Sequence, residues 1–149
     1  MRGMKGLITR SLMTLALGGA MVPATAHAQA GAVVVRDAWV RVPAPSKNET
    51  ALYMTIENMS NTPRAVVSVM AEPAKMAEMH DTVMDGKMMK MTDLKKIELP
   101  AKGKAELKPN GMHVMLMNLK TKPAVGDTVS GELKLDDGTM IPFKAVVKQ

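Results

Sequence analysis

Four side chains in this sequence stand at a spacing that could hold a soft metal ion. His80 is followed by ten residues and Met91, then by twenty-one residues and His113, with Met115 two positions further on. The chain has three His, seventeen Met and no Cys, and the third imidazole, His27, falls in an N-terminal leader-like stretch. Imidazole and thioether without thiolate suit monovalent copper, because soft neutral sulfur selects Cu(I) over hard or borderline divalent ions. The same composition excludes a blue-copper electron-transfer centre, which needs a Cys thiolate beside two His. No Ser-His-acid arrangement or acidic metal cluster stands out, so a binding role is expected and an enzyme is not. A copper-dependent oxidase or reductase would need, in addition, an open coordination position.

The donors need elements to carry them, and the pattern around them is that of strands. Side chains alternate across a strand, so in Gly111 to Met117 the residues His113, Met115 and Met117 share one face while Val114 and Leu116 share the other. The second set reads as core. In Lys87 to Met91 the same alternation puts Met89 and Met91 together, opposite Met88 and Lys90. Two thioether-bearing faces meeting His80 would give a site of two His and two Met.

Beyond these, strands are predicted over Val33–Val42, Ala51–Glu57, Ala65–Met70, Lys87–Thr92, Lys96–Leu99, Lys104–Leu107, His113–Leu119, Asp127–Leu135 and Met140–Val147. Asp85-Gly86, Pro109-Asn110-Gly111 and Asp136-Asp137-Gly138 supply turn residues that tolerate positive φ. Many short strands at regular spacing predict an all-β sandwich or barrel. Residues 73–84 stay open: Met76, Met79 and His80 fall at i, i+3 and i+4, a helical stripe, yet Thr82 and Val83 are β-branched.

Bland readings weigh against the metal. A lone Met is usually a flexible gap-filler in the core, and that is the expectation for Met54, Met59, Met70 and Met140. A lone buried His is commonly a hydrogen-bonded structural residue. The combination shifts the balance, because His80 and His113 both stand beside Met clusters. Residues 76–91 hold six Met, where a plain core would use Leu, Ile or Val.

The chain's start reads as a secretory signal peptide over residues 1–30. Arg2, Lys5 and Arg10 precede an apolar stretch, and small-x-small sites allow cleavage after Ala28 or Ala30. An uncleaved anchor is the alternative, since no charge falls between Arg10 and Arg36, but Gly18, Gly19, Pro23, His27 and Gln29 interrupt the run. Without a Cys after that run, a lipid-anchored lipoprotein is not expected. Residues 31–149 then form one domain, and loss of the leader lowers the formal charge from +6 to +3. With only Trp39, Tyr53 and Phe143 as aromatics, nucleic-acid binding has no stacking platform. No membrane span is expected after cleavage.

His80, Met91, His113 and Met115, together with Ala38-Trp39-Val40-Arg41, Ala51 to Asn58, Ile97-Glu98-Leu99-Pro100 and His113 to Leu119, carry a family likeness. The sequence resembles the periplasmic copper chaperones of PCuAC type, associated with the Cu-A centre of cytochrome c oxidase, across nearly all of Val33 to Val147. The resemblance implies a cupredoxin-like Greek-key β-sandwich and one Cu(I) per chain, held by His80, Met91, His113 and Met115. It further implies a periplasmic monomer that meets its partners transiently. Those partners are the Cu-A domain of cytochrome c oxidase subunit II, a Sco-type thiol chaperone, or both. A copper buffer or resistance protein using the same site is the alternative. Asp81 follows the first His where the family tolerates Met, so any extra sulfur donor would come from Met79 or Met84. Binding is expected to weaken as pH falls through about 6 to 6.5, because a ligating imidazole must be deprotonated.

Overall fold

A computed structural model of the protein describes residues 32–149; the leader and its cleavage sites lie outside the described residues. Ten strands follow one another without a helix among the described residues. They are β1 (Val33–Arg41), β2 (Thr50–Asn58), β3 (Arg64–Ala71), β4 (Ala74–Asp85), β5 (Met88–Leu94), β6 (Ile97–Leu99), β7 (Lys104–Leu107), β8 (His113–Leu119), β9 (Thr128–Leu135) and β10 (Met140–Lys148). The strands hydrogen-bond in the order β5-β4-β8-β2-β1-β10-β9-β3-β6, with β7 also on β2. Every pairing is antiparallel except β1 with β10.

This path folds over one core. Val40, Leu52, Ile56, Val66, Leu99, Val114, Leu116, Leu133 and Val147, drawn from strands all along it, are buried in a single cluster. β3, near one end of the path, lies against β4, near the other. The all-β, cupredoxin-like reading is therefore the fold observed, with Greek-key crossings between strands that are not neighbours. Close packing demands Gly131 in β9: a Cβ there would run into the Met70 carbonyl oxygen and the Phe143 ring.

The open segment resolves as a strand. β4 runs twelve residues, held by β8 on one side and by β5 on the other. Met79 faces inward, 7% exposed, opposite Val114. Met76, His80 and Met84 take the outer face by ordinary alternation. The helical stripe was thus an accident of spacing, overridden by two ladders of backbone hydrogen bonds and the β-branched Thr82 and Val83.

The expectation for the four scattered methionines holds at only one. Met54 is buried, but Met59, Met70 and Met140 are exposed. Alternation explains the two within strands, because Val69, Ala71 and Ile141 are the inward neighbours. Met59 lies in the turn beyond β2.

Candidate metal centre

The outer face of β8 and β4 carries the two imidazoles as direct cross-strand partners. Their inner neighbours Val114, Leu116 and Met79 fix that orientation; burying each such side chain is worth roughly 1.5–3 kcal/mol. The His80 and His113 rings stand edge to face, 5.6 Å between centroids. Such a pair needs a reason to be left polar and shielded, for the His80 side chain is only 12% exposed and His113 4%.

Hydrogen bonds choose the tautomers. His113 Nδ1 lies 3.0 Å from the Gly111 carbonyl oxygen, which only accepts, so Nδ1 carries the proton and Nε2 keeps its lone pair. His80 Nε2 lies 3.1 Å from Glu78 Oε2 and 3.1 Å from Asp93 Oδ1, so this nitrogen is the donor. In the neutral ring His80 Nδ1 is then the acceptor. Both remaining nitrogens, His80 Nδ1 and His113 Nε2, are buried without a hydrogen-bond partner. An unmet buried acceptor costs about 1–3 kcal/mol, and two on facing rings are what a ligand pair looks like before its ion arrives.

Thioethers surround this pair. Met115 lies two residues along β8 from His113 and opposite Glu78. Met91 on β5 faces Thr82, one outer-face row from His80. Met91, Met115, Met89, His113 and Tyr53 all line an open depression of about 650 Å³. Tyr53 and His113, 6.4 Å apart between ring centroids, wall one side, and Trp39 packs on Tyr53 at 4.6 Å from behind the lining. A bulge in β1 between Arg36 and Trp39 sets Trp39 opposite Tyr53. A larger cavity of about 970 Å³, beside Met70, Met76 and Phe143, contains none of the four expected donors and no His.

Sequence reasoning missed Glu78 and Asp93. Their ligand atoms and the His80 nitrogen all lie within 4.8 Å of one another, and both carboxylates are exposed. Their signal was parity: each stands two residues from an expected donor, on the same strand face. They orient the His80 ring and place negative charge near a donor set that is itself neutral. Met79, offered as an extra sulfur donor, points into the core and is removed from that role.

Comparisons with known proteins agree with this fold. The family model described as "Putative lipoprotein LpqE-like" matches residues 33–147. A curated relative from Leifsonia xyli subsp. xyli, "Putative lipoprotein Lxx21020", is 32% identical over 94% of this chain and 87% of its own length. Among solved structures, CuI-DR1885 from Deinococcus radiodurans is 36% identical over 77% of this chain and 76% of that one, with a TM-score of 0.64. The copper-bound PCuAC domain from PmoF2 has a TM-score of 0.69 over 79% of this chain and 93% of that one, at 20% identity, a likeness of fold. With the family model spanning every described strand from β1 to all but the last residue of β10, the chain belongs to the LpqE-like family of PCuAC-type β-domains.

Proposed function

We propose that this protein is a copper chaperone that takes one Cu(I) on His80, Met91, His113 and Met115 and gives it up to a thiolate-bearing acceptor. The observation that carries the reading is the facing imidazole pair, each ring pinned through one nitrogen and bare at the other. Thioethers in the adjoining depression supply the soft remainder of the set. The Cu(I) form of the Deinococcus radiodurans relative supports the cargo.

The donors also suit transfer. The two thioethers tilt the four neutral ligands toward Cu(I), because Cu(II) and Zn(II), although both take imidazole, favour anionic or harder donors over thioether sulfur. A Cys-rich acceptor draws the ion downhill, through an intermediate in which donor and acceptor ligands share it. The open depression leaves room for that approach. The acceptor of this reading is the Cu-A domain of cytochrome c oxidase subunit II, a Sco-type thiol chaperone, or both, in the periplasm after export.

An anaerobic Cu(I) competition titration of residues 31–149, beside His113→Ala and Met115→Ala, tests it. One equivalent should bind, both variants should bind more weakly, and the loaded protein should lose its ion to a Cu-A domain or a thiol chaperone. Wild-type binding no tighter than the variants would return the four residues to a structural role. Tight binding without transfer would make the protein a buffer.

A further inference from the structure

The β4–β5 hairpin outruns the rest of the sheet. Pairing of β4 with β8 ends at His80 and His113, so the segments Asp81–Asp85 and Met88–Thr92 form a two-stranded ribbon. Its turn places Gly86 at φ 63° between Asp85 and Met88, and Gly is suited to that left-handed corner. On the ribbon's outer face the Thr82 hydroxyl donates to the Gly111 carbonyl oxygen at 3.2 Å, and the methionines beside it are open to solvent. There Met84, Met89 and Met91 are 64%, 55% and 59% exposed.

Their register is specific. Met84 and Met89 are direct cross-strand partners, and Met91 faces Thr82 in the next row on the same face. Directly opposed residues have Cβ atoms about 4.5–5.5 Å apart, so two flexible thioethers can close on one ion. Met89 and Met91 also line the depression that holds His113 and Met115. Asp81, Lys90 and Asp85 occupy the alternate rows, on the reverse face, and Asp93 shares the outer face only at the His80 end. Each outer-face row between the hairpin tip and the row of His80 thus offers at least one thioether, Met84 with Met89 and then Met91.

We infer that Met84 and Met89 form a second, weaker Cu(I) station, an all-thioether loading and hand-off site that exchanges its ion with the main site through Met91. The proposal rests on the chaperone reading for its cargo, and extends it with a route. Two or three thioethers without imidazole hold a soft monovalent ion loosely, as a station on such a route should.

Ag(I), a soft monovalent ion that does not change oxidation state here, is the probe. The protein is labelled at its methionine methyl groups and titrated past one equivalent by NMR. The first equivalent should move the Met91 and Met115 methyls, and the second those of Met84 and Met89. In Met84→Leu/Met89→Leu the second event should vanish, the first should stay unchanged, and Cu(I) delivery to a thiol acceptor should slow. In His113→Ala the tight event should be lost while the Met84 and Met89 shifts persist. Unmoved Met84 and Met89 methyls, or unchanged delivery by the double variant, would overturn the station. A missing first event in wild type, with the hairpin shifts intact, would instead overturn the chaperone site. Shifts in Met84 and Met89 only when an acceptor protein is added would make the hairpin a docking surface and refute the metal station.

Discussion

At the scale of single residues, the distinctive device is the use of both nitrogens of His80. One is tied to two carboxylates and the other is left bare. Groups that hold the far nitrogen of a ligating His fix its tautomer and raise its basicity. Glu78→Gln combined with Asp93→Asn is accordingly expected to lower Cu(I) affinity by about 10–100-fold, the usual effect of losing such partners. The change keeps the fold, which circular dichroism would verify, and an unchanged Cu(I) competition curve would deny the carboxylates this role. The four expected donors stood out because two imidazoles and two thioethers recur at a family spacing in a Cys-free chain. Glu78 and Asp93 were not, since carboxylates in a charged sequence look like solvated surface until a strand face gathers them.

Elements tell a different story of legibility. The strands around Val33, Ala51, Ala65, Lys104, His113 and Met140 announced themselves by alternation, with Gly, Asn and Asp marking their ends. β4 did not, because Met79 inside with Met76 and His80 outside satisfies a helical spacing as well as a pleated one. Only neighbours on both sides decide between them, and those come from β8 and β5, remote in sequence. Turns contribute their own electrostatics. In the β9–β10 turn the Thr139 backbone N–H donates to Asp137 Oδ1 at 3.0 Å, and Arg64 Nε lies 3.5 Å from Oδ2. The Thr139 hydrogen bond, with Arg64 assisting, holds the Asp137 carboxyl below its ordinary value of 3.8. A lowered folded pKa means stability that is present above the ordinary value and lost as pH falls through the folded one. Asp137→Asn should therefore be less stable than wild type near neutrality, with the gap closing in acid below about pH 3.8. Urea midpoints across that range would show it, and a gap that stayed constant would deny the ionised carboxylate its part.

For the molecule as a whole, the fold is an open β-sheet path folded over one core, with a shielded imidazole pair on the face turned from that core. Among the described residues no helix is long and apolar enough to cross a membrane. Anything that binds the folded state and not the unfolded one raises stability by mass action, about 2.7 kcal/mol at a free concentration of 100 Kd. Calorimetry of residues 31–149 with Ag(I) or anaerobic Cu(I) should show a rise in Tm that grows with ion concentration. His113→Ala should show far less of it, and an equal rise in the variant would place the stabilising ion elsewhere.

The placement of the imidazoles on the backs of Val114 and Met79 has one more consequence. Two rings anchored to strands whose other side is the core are ordered when the chain folds, so the conformational entropy of arranging them is met before any ion arrives. The thioethers of the hairpin have no such anchor and keep their rotamers in solvent. Amide hydrogen exchange should thus divide the site: slow along β8 and the first half of β4, fast beyond Thr82. On the proposed reading, capture falls to the exposed hairpin and retention to the anchored pair.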